Sequence, residues 1–123
     1  MKKGECSQTA YTFITLYDYL DVIEDKMKIA NLYGVPITQI NEMLDSISNQ
    51  FDNLFKQGHL TDIEHTELRT NLQDVKGHLP ATDYLPSHES ERIAQSRKDN
   101  ERLKWKLVDT MFQSVAECEY KGR

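Results

Sequence analysis

The sequence predicts an all-α protein, a four-helix, mainly antiparallel bundle with a long, partly projecting C-terminal helix. Three apolar rows carry that expectation. Phe13, Leu16, Leu20, Ile23, Met27 and Ala30 form the first; Ile40, Leu44, Ile47, Phe51 and Leu54 the second; Val108, Met111, Val115 and Cys118 the third. Alternating steps of three and four residues keep side chains on one side of a helix for several turns, and such rows bury against one another. At 123 residues the chain reads as a single helical domain, with a core small enough that self-association would help it.

Helix one is expected from about residue 9 to Tyr33, after a flexible N-terminus at residues 1–8. Ser7 or Thr9 can cap its start, and Gly34 followed by Pro36 can stop it. Tyr11, Phe13, Thr15, Tyr17 and Tyr19 also alternate like a strand. The row continuing to Ala30 is too long for an ordinary strand and decides for helix. Tyr11 to Leu20 is apolar almost all round, which predicts burial on more than one side.

Helix two is expected from Thr38 to Gly58, with Asn41, Glu42, Asp45, Asn49, Asp52 and Asn53 as its solvated face. Thr61-Asp62-Ile63-Glu64 is a capping box opening helix three, in which hydroxyl and carboxylate satisfy backbone amides that have no helical partner. Leu68, Leu72 and Val75 give that helix a short core stripe before Gly77. The link from Gly58 to Leu60 is so short that the two helices must fold back as a hairpin or bend sharply. Residues 78–87 read as a proline-punctuated loop, pinned by Leu79, Tyr84 and Leu85, with Ser87 as the cap of the next helix. Helix four, from about 88 to 120, has two unlike halves. Between His88 and Arg102 only Ile93 and Ala94 are apolar, and a helix that polar has little to pack on; it projects, frays or meets a partner.

The net charge of −5 is unevenly spread. Residues 1–91 hold seven Lys/Arg against fifteen Asp/Glu, a balance of −8, whereas residues 92–106 hold six against two, a balance of +4. An acidic body therefore carries one compact basic segment, which bears on partners more than on fold. No apolar run approaches the roughly 20 residues that span a bilayer. Met1-Lys2-Lys3 starts like a secretory leader, but Gly4-Glu5-Cys6-Ser7-Gln8 follows instead of an apolar stretch, so a cytoplasmic setting without a membrane role is expected. In that compartment Cys6 and Cys118 are expected as free thiols, although an even-numbered bundle brings its termini together and makes a disulfide geometrically possible.

Candidate chemistry is sparse. His59, Asp62 and His65 cluster at the start of helix three, but a structural zinc site wants four ligands and the cysteines are remote in sequence. Glu64 with Glu67, and Glu42 with Asp45, have the three-residue spacing by which helical enzymes aim two carboxylates at one magnesium ion. In those four residues the chain resembles the all-α nucleotide pyrophosphatases. No lysine or asparagine arrangement follows to complete that family's pattern, so a magnesium-dependent nucleotide hydrolase is the third reading. Acid-x-x-His occurs once, at Asp62–His65, where a di-iron site needs it on two helices. No glycine-bracketed serine or phosphate-cradling glycine loop occurs. The expected function therefore involves no catalytic residue, cofactor or metal.

The favoured reading is a non-catalytic protein-binding module: a small adaptor, regulator or inhibitor, of bacterial or phage type, that occupies a partner protein's surface. A homodimer is expected as well. Tyr11, Phe13, Tyr17, Tyr19 and Trp105 are the expected anchors, because aromatic residues carry much interface energy. The rival is a nucleic-acid-associated protein in which Arg97, Lys98, Arg102 and Lys106 neutralise phosphates and Trp105 stacks on a base. Asp99, Glu101 and the acidic balance of the whole chain weigh against it.

Overall fold

The computed structural model describes residues 3–33, 37–79 and 89–121, and these form four helices and no strand. They are α1 (Lys3–Tyr33), α2 (Ile37–Lys56), α3 (Asp62–His78) and α4 (Glu89–Lys121). Each helix packs on its neighbours in the chain, and α4 closes the ring against α1. Contacts between helices fix the directions. Cys6 meets Cys118, and Asp21 meets Lys104, so α1 and α4 run antiparallel. Val75 meets Ser96, and Asp52 meets His65, so α4 opposes α3 and α3 opposes α2. The result is the four-helix, up-and-down bundle that the apolar rows predict.

The core is laid down with heptad spacing. Buried positions on α1 are Cys6, Thr9, Phe13, Leu16, Leu20, Ile23 and Met27; on α2, Ile37, Ile40, Leu44, Ile47, Phe51 and Leu54. Leu60, Leu68, Leu72, Val75 and Leu79 complete the side formed by α3. Steps of three and four residues recur throughout, the spacing at which helices cross at shallow angles with knobs in holes.

Local chemistry ends the helices where the sequence indicates. Gly58 adopts φ +81°, and its N–H donates to the Phe55 carbonyl while that of His59 donates to Leu54. That pair of bonds closes α2 in a Schellman motif and turns the chain into the hairpin. The capping box is formed: the Glu64 N–H donates to the Thr61 hydroxyl, and the Thr61 N–H to the Glu64 carboxylate. The expected stop at Gly34 and Pro36, the side chains of Ala30, Tyr84 and Leu85, and the Ser87 cap lie outside the described residues.

Three expectations are corrected. α1 begins at Lys3 rather than near residue 9, so residues 3–8 form its opening turns. The first half of α4 does not stand clear of the body. Ile93, Ser96, Asn100 and Leu103 are buried, and the row continues through Leu107, Thr110, Ser114 and Cys118. Polar residues fill half of this row, and three of the four bond carbonyl oxygens on α1, on α3 or in the α2–α3 hairpin. The Ser96 hydroxyl donates to the Val75 carbonyl at 2.7 Å, the Asn100 amide to Leu20 at 3.0 Å, and the Ser114 hydroxyl to His59 at 2.9 Å. Small side chains with hydrogen bonds let α4 approach closely where leucines would hold it off.

Cys6 and Cys118 are also not free thiols: they are joined in a disulfide, with Cα atoms 5.7 Å apart. Both sit on the seam between α1 and α4, so helix packing itself brings them within bonding distance.

Two outcomes test this account. Asn100 is fully buried and its amide bonds the Leu20 carbonyl, so the bulkier Asn100→Leu both removes that bond and crowds the seam. The variant should lose about 1–2 kcal/mol in denaturant unfolding; a raised midpoint contradicts the assignment. The disulfide spans 112 residues, and the chain-entropy account gives such a cross-link up to about 4–5 kcal/mol. Cys6→Ser combined with Cys118→Ser should therefore shift the unfolding midpoint down markedly, and an unchanged midpoint would show that the link is not formed in solution.

Candidate contact surface on α1 and α4

Most charged groups that the sequence offers as chemistry are engaged in holding the bundle together. Lys104 is buried, and its Nζ donates to Asp21 at 2.7 Å and Glu24 at 2.6 Å while lying 5.3 Å above the Tyr17 ring. Burial alone would lower the lysine pKa, but the hydrogen bonds and charges of Asp21 and Glu24 outweigh it and hold the ammonium above its ordinary 10.5. The same hydrogen bond, with the lysine's charge, depresses the Asp21 carboxyl below its usual 3.8. Lys106 pairs with Glu67 and Lys76 with Asp45. The buried Asp99 accepts from Gln95 at 3.2 Å and has Arg102 at 3.7 Å. His78 Nδ1 lies 2.6 Å from Asp99 Oδ2, close enough for a charge contact; among the described residues that oxygen receives no well-aligned hydrogen bond.

The candidate ligands disperse. His65 turns to Asp52 at 2.7 Å and stacks on Phe55, with ring centres 4.4 Å apart. That hydrogen bond is the main cause of the depressed Asp52 pKa. Glu64 closes the capping box, and Glu67 and Asp45 hold lysines, so three of the four carboxylates at magnesium-like spacing already have partners. Among the described residues no three His, Cys, Asp or Glu side chains converge on a point that could hold a metal ion.

The basic segment is divided. Lys98 is exposed, Arg97 is half-buried, and Lys106 is bound to Glu67. Arg102, Trp105 and Lys106 do meet, in an open groove of 430 Å³ between α3 and α4, but Glu67 and Asp109 line it too. Among the described residues these cations therefore alternate with carboxylates in that groove.

The aromatic anchors divide as well. Phe13 is 1% exposed and belongs to the core, so it cannot contact a partner. Tyr17 and Tyr19 are half-buried against that core. Tyr11 and Trp105 stand out at 70% and 64% exposure. Sequence reasoning missed Ile14, at 48%, and Phe112, at 64%. Their signal was present: Cys6 to Tyr17 and Thr110 to Ala116 contain no charged residue. Such stretches leave uncharged side chains on the outside of a helix as well as the inside.

Tyr11, Ile14, Tyr17 and Phe112 lie toward the disulfide end of α1 and α4, whereas Trp105 lines the α3/α4 groove and Val22, Ile29 and Ile63 are exposed elsewhere. Ile14 and Tyr17 from α1, with Val108 and Met111 from α4, line an apolar groove of 140 Å³ floored by Phe13 and Leu107. Tyr11 and Phe112 stand on the outermost lines of the same two helices, since Tyr11 is three residues from Ile14 and Phe112 four from Val108. Further along, α1 turns acidic at Asp18 and Asp25, and α4 turns basic at Lys98. No helix among the described residues is long and apolar enough to cross a membrane. No family model, curated protein or solved structure matches this chain.

The Lys104 cluster generates a pH signature. Asp21 has a depressed folded pKa, so its contribution is present above about 3.8 and lost as pH falls through the lower folded value. Lys104 has a raised folded pKa, so its contribution is complete below 10.5 and lost as pH rises through the higher folded value. Lys104→Met should flatten both losses, leaving in acid the part due to Asp52. Thermal midpoints across the pH range check this; unchanged slopes at both extremes would show that the cluster does not couple to folding.

Proposed function

We propose that this chain is a non-catalytic protein-binding module, one of the small accessory proteins of bacterial or phage type that act as adaptors, regulators or inhibitors. The observation that carries the reading is the uncharged α1/α4 surface, where Tyr11, Ile14 and Phe112 are exposed around an apolar groove. Exposed apolar groups in one contiguous patch mark contact sites, whereas the same groups scattered singly mean little. Aromatic and aliphatic anchors of this kind carry most of the energy of a protein interface. The commitment of Lys104, Lys106, Lys76 and three spaced carboxylates to structural pairs supports a role in contact over one in nucleotide chemistry.

A cytoplasmic setting belongs to this proposal. There the Cys6–Cys118 pair would be reduced, and each thiol would act as a small apolar residue on its seam. The nucleic-acid reading rests on the groove that joins Arg102 to Trp105, and it ranks second because Glu67 and Asp109 share that groove.

Ile14→Glu with Phe112→Glu should keep the helix content yet release the partners that the wild-type chain retains from its source cell. A loss of about 2 kcal/mol per anchor is ample to empty a micromolar complex. Glu42→Lys, on the exposed face of α2, should retain them. Identical protein sets on all three baits would remove the reading. Gel shifts that weaken steeply with salt would instead favour nucleic acid.

A further inference from the structure

We infer that the α1/α4 face is the surface on which a second copy of this chain docks, with α1 of each copy lying along α4 of the other. The inference rests on reading this face as a contact surface, and it goes further by naming the occupant. Its first support is a match of rows. Tyr11 and Asp25 stand fourteen residues apart on the outermost line of α1, and Lys98 and Phe112 stand fourteen apart on that of α4, while Trp105 between them lines the groove against α3. The Cys6–Cys118 link and the Lys104–Asp21 bond set the relative heights of the two antiparallel helices. On that register Tyr11 stands level with Phe112, and Asp25 level with Lys98.

A two-fold axis parallel to the bundle lays α1 of one copy on α4 of the other without changing any height. Such an interface is self-complementary by symmetry. Tyr11 then meets Phe112 of the partner subunit at the uncharged end, where paired aromatic rings add to the area they bury. At the other end Asp25 meets Lys98 of the partner subunit. Asp25 and Lys98 are both exposed within one chain, and Asp25 has a loose 3.9 Å contact with Lys28. Glu101 is the acidic exception on this side of α4, in a stretch otherwise set by Arg97, Lys98 and the buried Lys104.

The second support is area. Helix α1 has 31 residues and α4 has 33. Two such helices side by side present a face roughly 45 Å long and 20 Å wide, about 900 Å². A stable interface takes about 800 Å² from each partner.

Sedimentation equilibrium of the full chain decides it. Wild-type protein should be a dimer at high micromolar concentration. Asp25→Lys places like charges opposite each other twice per dimer, and so does Lys98→Asp; each should weaken self-association about tenfold. When the two variants are mixed, position 25 of each copy again faces an opposite charge at position 98 of the other, so the mixture alone should return to wild-type affinity. Circular dichroism confirms that both variants stay helical. A monomeric wild type, or a mixture no tighter than its components, overturns the pairing. The contact-surface reading fails on different ground, if Ile14→Glu with Phe112→Glu leaves the captured partners unchanged.

Discussion

The seam of α4 is the constraint on which the other features depend. This helix packs against both α1 and α3, and half of its inward row is polar: Ser96, Asn100, Thr110 and Ser114. Burying such residues costs free energy unless each finds a partner. Ser96, Asn100 and Ser114 reach carbonyls on other parts of the chain, and Thr110 bonds back to Lys106 within its own helix. A leucine row can slide by a heptad and still be buried, whereas these bonds are made in one register alone. The buried Lys104 adds to that selection, since its ammonium needs Asp21 and Glu24 at one height on α1. Height between α1 and α4 then sets everything on their shared outer side, including which residues stand level across the groove.

What the sequence showed depended on whether a feature was written in apolar side chains. The α2 row and the Thr61–Glu64 capping box were legible because their signals are local and strong. Residues 93–107 carry a weak apolar signal because two of their five inward positions, Ser96 and Asn100, are polar. Including Ser96 and Asn100 in the count gives Ile93, Ser96, Asn100, Leu103 and Leu107, an unbroken alternation of three and four. The period survived where the polarity did not. The opening of α1 was misplaced for a similar reason, since Cys6 and Thr9 extend the row backwards from Phe13 with the same alternation.

The candidate surface was half legible. Aromatic content points to Tyr11 and Trp105, but composition cannot say which face of a helix a residue occupies, and Phe13, expected as an anchor, fills the core. Once the row Cys6, Thr9, Phe13, Leu16 is recognised as the inside, Tyr11 and Ile14 fall outside it by geometry. The basic segment misled in the opposite way. Its charges look like a patch along the chain, yet the helix period sends Lys104 inward to α1 and Lys106 sideways to Glu67. Linear charge density is averaged around a helix, and a patch forms only where like charges share a face.

The covalent link and the uncharged surface occupy the same end of the molecule, and the coincidence has a physical consequence. Cys6 lies within two turns of Tyr11, and Cys118 within two turns of Phe112. The helices that form the groove are thus held at a fixed separation next to the groove itself. A surface whose two walls are already spaced loses less freedom when something docks on it, and that saving appears as affinity without any added contact. Where it is formed, the disulfide therefore bears on the candidate contact surface as well as on the core. Its effect on binding is separable from its effect on folding, because the first depends on the spacing of α1 and α4 at one end and the second on the length of chain enclosed between the two cysteines.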